Sequence, residues 1–200
     1  MNNNALIIFV RNPILGKVKS RLAKSIGNVK ALEVYNELLY HTMLQTIDLS
    51  CDVYVFYDLF IDDNDIWNSD NFYKKLQIEG DLGAKMLDAF ETILNLNYKN
   101  CIIIGSDLFD LKSSHIESAF LELENNDYVI GPAQDGGYYL LGLKKIENKI
   151  FFNKNWGTSS VLNDTLLDLN KYKIHQLQEL NDIDTLEDLK NSITYKINQL

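Results

Sequence analysis

A carboxylate placed directly after a buried strand is where this sequence first offers chemistry. Cys101-Ile102-Ile103-Ile104 reads as a short strand apolar on both faces, and Gly105-Ser106-Asp107 turns away at its carboxyl end. Open α/β sheets bind ligands outside the carboxyl ends of their strands, so Asp107 can meet a metal ion or a substrate there. An Asp after a strand also caps turns, and position alone leaves both roles open. The second feature is a basic loop. Arg11, Lys17, Lys19, Arg21, Lys24 and Lys30 occur with no Asp or Glu among them, although acidic residues outnumber basic ones 28 to 19 and the net charge is −9. A cationic patch on an acidic chain points to a small anionic ligand, such as a phosphate, bound at one place. The overall charge opposes binding to nucleic acid or to an anionic membrane surface. The third feature is Asp135-Gly136-Gly137, either a tight reversal or a backbone brought close to a ligand.

Familiar phosphate motifs do not account for the basic loop. Gly16-Lys17 is followed by Val18, and no glycine stands five residues before Gly16, so it is not a P-loop. The three-glycine dinucleotide fingerprint is absent, which disfavours NAD chemistry. Asp107 and Asp110 are three apart, whereas phosphatases of the haloacid dehalogenase type need two aspartates two apart after the first strand. His41, His115 and His175 fall within predicted helix or strand and read as ordinary residues. Tyr138 and Tyr139 alternate about a strand, so at most one is expected to face a pocket.

The elements that must position these groups alternate. Ala5–Val10 is a buried strand, ended by Arg11-Asn12-Pro13, and a helix follows from Asn28 to about Asp48. A strand over Asp52–Asp58 precedes an acidic loop from Asp62 to Asn71. Met86, Leu87, Phe90, Ile93 and Leu94 mark a helix leading into the strand at Cys101. Ser114 and Glu117 have capping-box spacing for a helix from about His115 to Glu124. Further strands are expected at Asp127–Pro132, Tyr138–Leu143 and Tyr172–Leu177, with a helix carrying Val161, Leu162, Leu166 and Leu169 between the last two. Thr185 and Asp188 cap a final helix from about Leu186. Alternation of this kind predicts an α/β fold with a mostly parallel sheet covered by helices on both faces, plus an antiparallel piece at the Asp-Gly-Gly turn. Length fits one domain over residues 1–200. Ala5–Val10 is too short to span a membrane, and Cys51 and Cys101 read as buried free thiols, so a cytoplasmic protein is expected.

Taken together, Phe9 to Leu22, Gly80-Asp81-Leu82-Gly83, Ile104-Gly105-Ser106-Asp107, Gly131 to Leu140, Trp156 to Thr158 and Asp182-Ile183-Asp184-Thr185 resemble the signature of the DUF2064 transferases. That family is also called radical-SAM/selenodomain-associated transferase 1, and its members are relatives of phospholactate and molybdenum-cofactor guanylyltransferases. The likeness runs from about residue 5 to 190 in the right order. It departs at Lys85, Gln134, Gly157 and Leu186, where the family often has Arg, Glu, Ser and Pro.

The resemblance implies a GT-A, Rossmann-like mixed sheet and a transferase that uses a nucleotide or nucleotide sugar and a small acceptor. It implies Mg²⁺ or Mn²⁺ held by Asp107 and Asp184, with Asp182 as the competing ligand. Arg11, Gly16, Lys17, Lys19, Arg21, Gly80, Asp81 and Gly83 would meet the nucleotide, and Asp135, Gly136, Gly137 and Tyr138 the acceptor. Lys17, Arg21, Asp107 and Asp135 would act in catalysis. Nucleotidyl transfer from a nucleoside triphosphate is favoured by the density of cationic charge. Glycosyl transfer from a nucleoside-diphosphate sugar and a non-catalytic nucleotide-binding module are the alternatives.

Overall fold

The computed structural model describes residues 2–192 of the chain. Seven strands form one sheet: β1 (Asn4–Val10), β2 (Asp52–Tyr57), β3 (Phe72–Leu76), β4 (Asn100–Ile104), β5 (Tyr128–Pro132), β6 (Tyr138–Leu143) and β7 (Ile174–Gln176). Their order is β3-β2-β1-β4-β6-β5-β7, and β6 alone runs antiparallel to its neighbours. Among the described residues six helices accompany them: α1 (Ser20–Ile26), α2 (Asn28–Thr46), α3 (Leu82–Leu94), α4 (Ser113–Leu123), α5 (Val161–Asp168) and α6 (Leu186–Asn191), with a 3-10 turn at Asn148–Phe151.

Strand chemistry explains the layering. Leu6, Ile8 and Val10 of β1 enter one core with α1, α2, α4 and α6, while Ala5 and Ile7 enter a second with α3 and the 3-10 turn. β4 divides likewise, Ile102 and Ile104 on one side and Cys101 and Ile103 on the other. A strand packed on both faces must be apolar at every position, which is the pattern of these two segments. The exposed edges are blunted: β3 carries Lys74 and Lys75, and β7 is three residues long.

The expected mixed sheet with helices on both faces is what the structure has, including the antiparallel turn at Asp-Gly-Gly. Three local expectations are corrected. β3 lay in a stretch assigned no element, because its alternation is broken by two lysines. α1 occupies the end of what read as a basic loop. The helix at Ser113 is not started by a Ser114–Glu117 box: the His115 ring accepts from the Lys112 N–H at 3.1 Å instead. At α6 the expected cap is present, with the Thr185 hydroxyl accepting from the Asp188 N–H and Asp188 accepting in return. No helix among the described residues is long and apolar enough to cross a membrane.

Strand direction fixes where ligands can sit. From β1 the chain proceeds outward to β2 and β3, then returns to place β4 on the other side of β1. The sheet therefore has a topological switch point between β1 and β4, and loops diverging there leave a crevice.

Candidate active site

A cleft of about 540 Å³ opens over that switch point. Its polar groups come from one end of the sheet. Arg11 and Lys19 follow β1, Asp58 follows β2, Gln77 follows β3, Gly105 to Asp107 follow β4, Asp135 follows β5, and Asp182 and Asp184 follow β7. β6 runs the other way, so its beginning, Tyr138, reaches the same end.

The segment after β1 is tied down before any ligand arrives. The Arg11 backbone N–H donates to the Tyr35 hydroxyl at 2.9 Å, and that hydroxyl donates back to the Arg11 carbonyl at 3.1 Å. Burial pushes the Tyr35 phenol up to about 12, which keeps it a neutral donor. Asp58 accepts from the Asn12 N–H at 2.7 Å and from Arg11 Nε at 3.4 Å. Buried Asn12 donates through Nδ2 to the Phe60 carbonyl and accepts the Leu59 and Phe60 N–H groups on Oδ1. Its side chain thus staples the basic segment to the loop after β2. Asn12→Ala is expected to cost about 1–3 kcal/mol by leaving those backbone groups unpaired, a loss that denaturant unfolding would measure.

Asp107 and Asp184 lie together although 77 residues separate them. Lys19 Nζ is 3.2 Å from Asp107 Oδ2 and 3.7 Å from Asp184 Oδ1, and Arg21 Nη1 is 2.9 Å from Asp184 Oδ2. The Lys19 side chain is only 6% exposed, whereas that of Arg21 is 63% exposed. Lys19 takes left-handed backbone angles, φ 47° and ψ 46°, directly before α1. A side-chain-bearing residue there gives up about 1–2 kcal/mol. Asp182 stands nearby: burial, then Asp107, Asp135 and Asp184, push its carboxyl up to about 7.

A divalent metal fits this donor set. Two carboxylates already share one cation, and oxygen ligands of this kind suit Mg²⁺, which is typically held by one or two carboxylates together with substrate phosphates. Among the described residues no three acidic, imidazole or thiol groups form a ready metal cage, so the remaining ligands would have to come from phosphate and water.

The far wall is the turn at Asp135-Gly136-Gly137, both a reversal and a border of the cleft, which it lines through Asp135 and Gly137 while Gly136, expected to meet the acceptor, does not line it. Asp135 Oδ1 accepts from the Gly137 N–H at 2.7 Å, and the Gly136 carbonyl accepts from Leu162 at the start of α5. Gly136 has φ +88°, and a Cβ there would lie 2.4 Å from the Ser159 carbonyl oxygen, so only glycine fits. Beyond it stand Tyr138 and Trp156. The Tyr138 hydroxyl and the Trp156 indole N–H are buried with no hydrogen-bond partner among the described residues. Thr165, the hydroxyl beside Tyr138, already donates to the Val161 carbonyl.

Of the residues expected from sequence, Arg11, Lys19, Asp107, Asp135, Gly137, Tyr138 and Asp184 line the cleft, and Arg21 joins through Asp184. Gly16 and Lys17 are exposed on the preceding loop and do not line it. Gly80, Asp81 and Gly83 do not line it either and lie at the start of α3, where Asp81 caps the helix by accepting from the Ala84 N–H at 2.8 Å and Gly83 seats it against Phe151. Tyr138 and Tyr139 both border the cleft, contrary to the alternation argument, because a crevice at a strand's end meets both of its faces. His41, His115 and His175 lie elsewhere, bonded to the Leu111 carbonyl, Lys112 and Glu122. Sequence reasoning missed Asp58, Gln77, Tyr35 and Asn12. Asp58 stands at a strand's carboxyl end as Asp107 does, and that same signal could have found it.

The family model for DUF2064, described as an uncharacterized protein conserved in bacteria, matches residues 43–158. A crystal structure from Desulfovibrio desulfuricans G20, provisionally named a nucleotide-diphospho-sugar transferase, is 28% identical and has a TM-score of 0.88, over 100% of this chain and 95% of that one. Two more distant structures share the fold. The 4-diphosphocytidyl-2C-methyl-D-erythritol synthase of Anaerococcus prevotii DSM 20548 is 11% identical with a TM-score of 0.62, over 98% of both chains. A cytidylyltransferase from Leptospira borgpetersenii serovar Hardjo-bovis is 14% identical with a TM-score of 0.63, over 94% of this chain and 84% of that one. No curated protein matches the sequence.

Proposed function

The chain belongs to DUF2064, and from that premise we propose that it is a metal-dependent nucleotidyltransferase, moving a nucleotidyl group from a nucleoside triphosphate to a small phosphorylated acceptor. The observation that carries this reading is the meeting, at one switch point, of Arg11 and Lys19 from after β1 with Asp107 from after β4 and Asp184 from before α6. Lysine and arginine are suited to neutralising triphosphate oxygens, and arginine can do so with two hydrogen bonds. Lys85, on α3, adds a third cation to the cleft wall.

In the reaction an acceptor oxygen attacks the α-phosphorus in line with the bond to the β-phosphate. The new P–O bond forms as the α–β bridge breaks, and pyrophosphate leaves with the electron pair. A phosphate acceptor is already ionised and needs no base. Asp107 and Asp184 would hold Mg²⁺ or Mn²⁺, which supplies charge neutralisation for the transferring and leaving phosphates. Lys19 and Arg11 steady the triphosphate, while the turn at Asp135 and Gly137, with Tyr138, confines the acceptor opposite.

Glycosyl transfer is the second reading, favoured by the name of the Desulfovibrio protein. In it the acceptor attacks a sugar carbon and a nucleoside diphosphate leaves. Against it, Asp107 is preceded by Gly105-Ser106 and not by the Asp-Xaa pair usual in such enzymes. Incubation with Mg²⁺, candidate acceptors, each nucleoside triphosphate and each common nucleotide sugar separates the two. Acceptor-dependent pyrophosphate release is the expected result, and nucleoside diphosphate release would establish the second reading. Tight nucleotide binding with neither product would make the protein a binding module.

A further inference from the structure

The position of Lys19 raises a question that phosphate binding alone does not answer. Its ammonium is not held out toward an incoming ligand. It is folded inward, its side chain 6% exposed, onto oxygens of the two carboxylates that would take the metal. The residue reaches that place from left-handed backbone at the mouth of α1, a conformation that the surrounding structure has to impose. The partners lie on separate elements, Asp107 after β4 and Asp184 before α6, whose backbones meet where the Ile183 N–H donates to the Asp107 carbonyl, and the lysine bridges their two carboxylates.

We propose that Lys19 is a placeholder cation: it occupies the metal's position between Asp107 and Asp184 in the nucleotide-free protein and gives it up when triphosphate oxygens offer the ammonium another anion. This rests on reading the cleft as a metal–nucleotide site. A dication contacting those same oxygens would sit against the ammonium, and like charges at such spacing repel strongly in a partly buried site. The metal and Lys19 therefore compete while the cleft holds no phosphate. A triphosphate reverses the sign of the coupling, because it draws the lysine away and adds oxygen ligands of its own. Metal and nucleotide then strengthen each other's binding, and each does so to the same degree. Arg21, exposed and bonded to Asp184 Oδ2, the oxygen other than the one nearest Lys19, keeps that carboxylate in place as Lys19 leaves.

The test uses Mn²⁺ as the probe, with free Mn²⁺ followed by electron paramagnetic resonance on the full chain, and needs no turnover. Lys19→Met removes the charge and keeps the length, and Lys19→Arg keeps the charge. Without nucleotide, Lys19→Met is expected to bind Mn²⁺ on the order of tenfold tighter than the parent, the usual scale of such couplings, and Lys19→Arg about as weakly as the parent. With a non-hydrolysable triphosphate present, the parent is expected to gain Mn²⁺ affinity and Lys19→Met to gain far less. Circular dichroism checks the fold of each variant, and Lys19→Gln replaces Lys19→Met if the latter does not fold. Equal Mn²⁺ affinity in the parent and the neutral variant, abolished in both by Asp107→Asn, would overturn the placeholder role and leave the metal site standing. Absence of Mn²⁺ binding in every form, with and without nucleotide, would overturn the metal reading beneath it.

Discussion

Asp107→Asn is expected to lower kcat/KM for metal-dependent turnover by on the order of 10³-fold, the scale seen when a charge-stabilising group is removed from a transition state. Stability should barely change, and the reason lies in which atoms of Asp107 do what. Its side chain is 36% exposed and is paired with Lys19, whereas its backbone carbonyl accepts from the Ile183 N–H at 2.9 Å and so moors the segment before α6. Asparagine keeps the backbone bond and the side-chain shape but loses the charge. Steady-state kinetics beside a thermal unfolding curve separates the effects. A variant that keeps its activity would remove Asp107 from the chemistry, and one that unfolds would show it to be structural.

Gly83→Ala should act through stability instead. A Cβ at this position would lie 2.0 Å from the Phe151 carbonyl oxygen and 2.8 Å from Trp156 Cζ2, closer than any real contact. The helix must move away from the 3-10 turn, carrying Met86, Phe90 and Ile93 out of register with their core. Overpacking against backbone is at the severe end of such changes, about 3 kcal/mol or more. Denaturant titration of the purified variant would measure it, and an unchanged midpoint would mean that α3 is not seated this closely.

Gly83 also marks where the sequence could and could not be read. The resemblance put the Gly-Asp-Leu-Gly turn against the nucleotide, yet its aspartate caps α3 and its second glycine makes room for a neighbouring carbonyl. A motif records that residues are needed together, not whether the need is chemical or steric. The buried strands were legible because two-sided burial forces continuous apolar runs, as at Ile102-Ile103-Ile104. Asp107 was legible because a strand's carboxyl end is a defined place in an α/β sheet. β3 was not, since an edge strand protected by Lys74 and Lys75 carries little of that pattern. Nor could spacing distinguish Lys17 from Lys19. The two lie on one loop, and only the left-handed turn at Lys19 decides which of them enters the cleft. Asn12 and Tyr35 act on backbone groups of distant segments, a role that no local pattern announces.

On the proposed function, one cleft between β1 and β4 holds a triphosphate and its metal at once. A crystal structure of the protein with Mg²⁺ and a non-hydrolysable nucleoside triphosphate tests it most directly. Phosphates are expected beside Arg11 and Lys19, with Mg²⁺ held by Asp107 and Asp184. Nucleotide bound away from the switch point, or a metal that touches neither carboxylate, would contradict it.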